Sequence, residues 1–183
     1  GLYGAMSGEI AVAGIGMSLS FGISELGPLN FYLGLAGPVP IPYTPLIITS
    51  LRGGVDFALS LPPIEKPEDL RGPAFQPTKA LTPEQWQEQL ETQVAKQAAP
   101  PRQQSAWDLF SKPFRIQAGI GLKIANKNIW EAEADILFSS DSKLVLHVRS
   151  SFAGGIELSF RLYIDNSSPP ASKILFLLDS PAK

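Results

Sequence analysis

Large apolar residues and small or polar ones alternate by two along most of this chain, the period of extended strands rather than helices. The last third is the cleanest. Phe114, Ile116, Ala118, Ile120, Leu122 and Ile124 alternate against Arg115, Gln117, Gly119, Gly121 and Lys123. A turn at Asn126-Lys127-Asn128 follows. Trp130, Ala132, Ala134, Ile136 and Phe138 then alternate against Glu131, Glu133 and Asp135. After Ser139–Ser142, Leu144, Leu146 and Val148 alternate against Lys143, His147 and Arg149. Gly154-Gly155 turns into a strand over Ile156–Ile164, the loop DNSSPPAS follows, and Ile174, Phe176 and Leu178 close the pattern. Strands separated by such short turns predict an antiparallel meander. One face is apolar and the other charged, which predicts one face on a core and one in water.

The first third reads less evenly. EIAVAGIGMSLSFGIS over 9–24 alternates throughout and predicts one long strand. Its Gly14-x-Gly16 starts a phosphate-loop pattern, but no GxGxxG and no helix start follow, so a plain strand is the better reading. Gly27-Pro28 turns, and Leu29, Phe31, Leu33 and Leu35 form a second strand. Prolines 38, 40, 42 and 45 predict an extended edge or loop, because proline lacks a ladder N–H. Leu46–Leu51 is a short strand, Arg52-Gly53-Gly54 a turn, and Val55–Leu61 the returning strand.

Residues 63–113 interrupt the alternation. PPIEKPEDLRGPAFQPT predicts an irregular surface segment pinned by Ile64, Leu70 and Phe75. Thr82-Pro83-Glu84-Gln85 is a capped helix start. Trp86, Leu90 and Val94 then recur at helical spacing, and Pro100-Pro101 stops the pattern, so one amphipathic helix is expected over 83–98. A helical turn capped by Ser105 is expected to tuck Trp107 and Phe110 under the sheet.

Two echoes suggest duplication. LRGGVDFALSL at 51–61 resembles FAGGIELSFRL at 152–162, and AGIGMSL at 13–19 resembles AGIGLKI at 118–124. The offsets, 101 (152 − 51) and 105 (118 − 13), differ by four residues. The expected fold is mainly β, a β-rich α+β chain of one domain over residues 1–183. It divides into a first β unit (1–62), a Pro-rich and helical insert (63–113) and a second β unit (114–183). Two related antiparallel meanders would form a sandwich, a barrel or a curved groove.

Composition narrows the chemistry. The chain has 183 residues, a formal net charge of −2 and no cysteine, with a pI near 5.4. Nothing here attracts nucleic acid, and disulfides, thiolate chemistry and cysteine zinc sites are excluded. No apolar run reaches 18 residues, so no transmembrane segment is expected. Gly and Pro together are about 18% (33 of 183), above the usual ~12% yet short of low complexity. The opening GLYGAM does not read as a signal peptide. The missing initiator Met suggests a fragment or processed product of something longer.

Glu131, Glu133 and Asp135 are the one candidate constellation. Spaced by roughly 7 Å along one strand face, they are cation candidates for Ca²⁺ or a carboxylate pair for a hydrolase. The competing reading is ion pairing. If the hairpin through 139–143 pairs Leu137 with Val145, Asp135 faces His147 and Glu133 faces Arg149. His147 is the sole histidine, and no GxSxG accompanies it. No catalytic residue and no cofactor is expected.

The runs GISELGPLNFYL…PLIITSLRGGVDFALSLPPIEKPEDL and AWDLFSKPFRIQAGIGL, with the I-T-x-L-x-G-G-V-x-F…L-P pattern at 48–62, resemble modules of very large β-repeat-rich bacterial proteins of unknown function. That family has no catalytic residues to carry over. The resemblance implies a module of a giant chain associated with the cell envelope or surface. The leading expectation is a non-catalytic structural or binding module whose partners are neighbouring repeats or another protein. The alternative is an apolar-ligand groove for lipid binding or transfer.

Overall fold

The structure is a computed structural model that describes residues 3–12, 14–24, 27–57, 60–77, 113–125 and 128–179. Nine strands form a single sheet: β1 Tyr3–Val12, β2 Ile15–Ser24, β3 Gly27–Pro40, β4 Leu46–Phe57, β5 Phe114–Ile124, β6 Trp130–Ser139, β7 Lys143–Phe152, β8 Ile156–Asp165 and β9 Lys173–Asp179. Their order in the sheet is their order in the chain, and each is antiparallel to the next. The expected meander is therefore continuous across the insert, because β4 pairs directly with β5 from Leu46↔Ile124 to Phe57↔Phe114. The sheet is open. The described residues form neither two facing sheets nor a closed barrel. The expected helix over 83–98 and the turn carrying Trp107 and Phe110 lie outside the described residues.

Several boundaries differ from the sequence expectation, each for a local reason. Residues 9–24 form two strands, not one. Gly14 takes φ +79° in a tight hairpin, and Val12 pairs with Ile15. A two-residue hairpin leaves an alternating pattern unbroken, so period alone cannot reveal it. The prolines at 38 and 40 lie inside β3. They are tolerated because β2 pairs with β3 only as far as Ala36, and towards β4, where Pro40 lies opposite Ile47, it is Ile41 that donates, to the Leu46 carbonyl at 3.0 Å.

Gly53-Gly54 is not a turn; it sits mid-strand in β4, and Leu61 lies outside the strand. A methyl on Gly54 would overlap the Tyr32 ring and sit 2.8 Å from the Phe31 carbonyl. The glycine provides space, not a bend. Gly154 and Gly155, by contrast, form the β7–β8 turn with φ of +91° and +80°. The second echo divides the same way. Residues 13–19 contain the β1–β2 hairpin, whereas 118–124 lie inside β5. The similar sequences thus occupy unlike places in the sheet.

The larger reversal concerns the faces. Leu61, just before the insert, and Ile64, Leu70 and Phe75 within it are each at most 4% exposed. The three expected anchors are therefore anchors. Pro67–Arg71 and Pro73–Phe75 are short 3-10 turns that aim Leu70 and Phe75 inward. Their cluster includes Leu137, Val145, Tyr163 and Leu177, with Phe75 edge-on to Tyr163 at 6.3 Å. These four sheet residues share the face of the charged side chains. Among the described residues the core lies on the polar face, under the two 3-10 turns, and not on the apolar face.

Candidate functional site

The polar face is a ladder of charged side chains laid over glycines and small residues. Arg52 on β4 sends Nε to Asp135 Oδ1 at 2.8 Å and Nη2 to Oδ2 at 3.0 Å on β6. The intervening β5 position is Gly119, where a methyl would sit 2.7 Å from Arg52 Nε. The glycine lets one ion pair span three strands. Its fork geometry holds the Arg52 guanidinium charged, first through the bond to Asp135 and against the opposing effect of burial.

Asp56, 1% exposed, accepts bonds from Arg115 Nε at 2.9 Å and Nη2 at 2.7 Å. It also accepts the Tyr32 hydroxyl. Arg115 Nη1 donates to the Ala74 carbonyl at 3.1 Å, so this pair ties the insert to the sheet. Lys173 donates to the Ile64 carbonyl and, at 3.2 Å, to Glu65. Arg71 in the first 3-10 turn pairs with Asp179 on β9, which also accepts from Arg161. The Arg71 bond, ahead of the Arg161 charge, holds the Asp179 carboxyl below its usual range.

The three sequence candidates separate. The register is the expected one: Leu137↔Val145, Asp135↔His147 and Glu133↔Arg149. Asp135 is buried and committed to Arg52. Glu133 pairs with Arg149 and lies 3.6 Å from Arg52. Glu131 is exposed, opposite Lys123 and Ser151. Glu131 and Glu133, with Arg149 and Glu157, line an open cleft of about 300 Å³ that Asp135 does not reach. Among the described residues no group of three such ligands is arranged to hold a metal ion.

His147 is 3% exposed. Its Nε2 lies 2.9 Å from Ser159 Oγ, a contact that the sequence reading missed, since Ser159 sits diagonally opposite on β8. Catalysis by this pair would need an orienting carboxylate on Nδ1. Among the described residues Nδ1 has no protein partner, and both oxygens of the facing Asp135 belong to Arg52. Burial first, then the Arg161 and Arg149 charges, pushes the imidazole pKa down to about 4. The ring is neutral at neutral pH, as a buried structural group would be.

The opposite face carries a different kind of surface. Met17, Leu35, Leu51, Ile120, Ala134, Val148, Phe160 and Leu178 follow one another across eight strands. So do Phe21, Phe31, Val55, Ile116, Phe138, Leu144, Ile164 and Ile174. No polar side chain interrupts either row. Seven of these sixteen side chains are exposed, from 37% at Leu51 to 65% at Ile174, and the others are half-buried. With the row between these two, which runs from Leu19 on β2 to Phe176 on β9, three rows of about 7 Å and strands about 4.8 Å apart give a surface of roughly 34 Å by 20 Å, on the order of 700 Å². A typical monomer's largest apolar patch is about 300–600 Å².

No family model, no curated protein and no solved structure matches the chain. Among the described residues no helix is long and apolar enough to cross a membrane. What the described residues define is an open antiparallel sheet braced from its polar side, with no described element covering its apolar side.

Proposed function

We propose that this chain is a non-catalytic binding module of a larger repetitive envelope or surface protein, and that its working surface is the apolar sheet face, which takes lipid acyl chains. The observation that carries this reading is the pair of unbroken apolar rows across β2–β9, exposed or half-buried among the described residues, while the described part of the insert, 63–77, packs on the other face. A surface without donors or acceptors in its rows offers a polar ligand nothing to orient on. Hydrocarbon chains need only area, at about 25 cal/mol per Å². Strands of ten to fourteen residues over β1–β4 run about 33 Å or more, longer than an extended acyl chain.

The non-catalytic part rests on the charged face. Its carboxylates at Asp56, Glu133 and Asp135 are matched to arginines, an arrangement that braces strands.

The test is incubation of the purified chain with a lipid extract, followed by native mass spectrometry. Retained acyl lipids are expected, and Phe138→Asp is expected to lose them while the far-ultraviolet circular dichroism stays unchanged. A chain that retains no lipid, or a Phe138→Asp variant that retains as much, contradicts the lipid reading. Neighbouring repeats of the parent chain would then be the occupant of the face.

A further inference from the structure

The last strand has the residue pattern of an interior strand and the position of an edge. β9 reads KILFLLD, five consecutive apolar residues between one cation and one anion. Leu177 faces the core under the insert. Ile174, Phe176 and Leu178 lie on the apolar face at 65%, 56% and 61% exposure. Strands apolar on both faces normally sit between two neighbours. Among the described residues β9 has one, β8. Natural edges are blunted by an inward charge, a proline, a bulge or shortness; β9 has only its seven-residue length and the charges at its two ends. β1 at the other edge carries Glu9 and two glycines within its run.

We infer that β9 pairs with β9 of a second copy of this chain, antiparallel and centred on Phe176. The strand is self-complementary about that residue. Lys173 falls opposite the second copy's Asp179, Ile174 opposite Leu178, Leu175 opposite Leu177, and Phe176 opposite itself. A shift of two residues in either direction sets Lys173 against a leucine or Asp179 against one, and so loses both charge pairs. Opposite charges and apolar pairs directly across a ladder stabilise it, and like charges destabilise it. The two-fold axis of antiparallel pairing stands normal to the sheet, so the interface is isologous. Both apolar faces then lie on the same side, and the rows ending at Ile174 and Leu178 continue into the second copy. Phe176, already stacked on Phe160 at 6.0 Å, gains the second copy's Phe176 as a neighbour. This pairing does not depend on what the apolar face binds.

Sedimentation analysis of the chain between 1 and 100 µM tests it. The expected species is a dimer of about 39 kDa, twice 19.7 kDa. Lys173→Glu and Asp179→Lys each turn two attractive pairs into two repulsive ones. Each should weaken the dimer about tenfold or more. Mixing the two variants restores complementary charges, so the mixture should dimerise as the wild type does. Since both residues also hold the insert, fold is followed by circular dichroism, and Phe176→Lys on the exposed face serves as an independent disrupting variant. A wild type that is monomeric at 100 µM overturns the inference. So does a dimer that Phe176→Lys leaves intact, or a pair of folded charge variants that fail to recombine.

Discussion

Replacing Arg115 with methionine isolates what the buried ladder contributes. The guanidinium makes two bonds to Asp56, at 2.9 and 2.7 Å, and a third to the Ala74 carbonyl at 3.1 Å. Its side chain is 12% exposed and that of Asp56 only 1%. Methionine preserves the apolar stem and removes the charge. Asp56 is then a buried carboxylate with the Tyr32 hydroxyl as a remaining donor, and the insert loses one tether. Breaking a buried pair from one side costs about 3–5 kcal/mol, because the remaining charge is uncompensated. Removing both charges costs less, so Arg115→Met with Asp56→Asn should recover on the order of 2 kcal/mol relative to the sum of the single changes. Arg149→Met is the control. It faces Glu133 with both side chains about 40% exposed, and such pairs contribute about 0–1 kcal/mol. Urea unfolding followed by circular dichroism gives all four values from midpoint and slope. The reasoning is refuted if Arg115→Met costs no more than Arg149→Met, or if the double change is simply additive.

Two further predictions concern the faces and pH. Leu70→Ala, at a fully buried anchor, should cost about 2–5 kcal/mol. Ile174→Ala, 65% exposed on the apolar face, should stay within about 0.5 kcal/mol; urea midpoints decide, and equal costs contradict the placement of the core. The folded chain binds a proton at His147 only near pH 4, whereas the unfolded chain binds it near 6.5. The unfolded state therefore holds more protons across that window, and stability falls as pH drops through it, by about 2–3 kcal/mol. His147→Gln should flatten the stability profile between pH 6.5 and 4, and an unchanged profile would show that the group does not titrate as described.

Much of the sheet was legible in the sequence, and its orientation was not. Period-two alternation identifies β5–β8, and short polar turns set their register, so the pairings Glu133↔Arg149 and Asp135↔His147 follow from Leu137↔Val145 alone. Ile64, Leu70 and Phe75 stand out as apolar residues in a polar, proline-broken segment. Alternation, however, names two faces without saying which one is covered. The signal lay in Leu137, Val145, Tyr163 and Leu177, apolar residues at positions of charged parity, which form a small island under the insert. The glycines misled for a related reason. A turn glycine such as Gly154 and a space-giving one such as Gly54 look the same in sequence, and only the Tyr32 ring lying against Gly54 separates them. The candidate acids were correctly placed on one face, but Arg52, which neutralises Asp135 from two strands away, is 83 residues distant in the chain.

Because the chain has no cysteine, a single introduced thiol reports its own surroundings. Leu137 and Phe138 are neighbours on β6, at 1% and 38% exposure on opposite faces. Native-state maleimide labelling of Leu137→Cys and Phe138→Cys tests directly which face is open. The thiol at 138 should react at close to the rate of an unfolded control, and the thiol at 137 at least about a hundredfold more slowly, as a site that opens only by local unfolding of the insert. Equal rates, or faster labelling at 137, would contradict an uncovered apolar face and a core on the polar side.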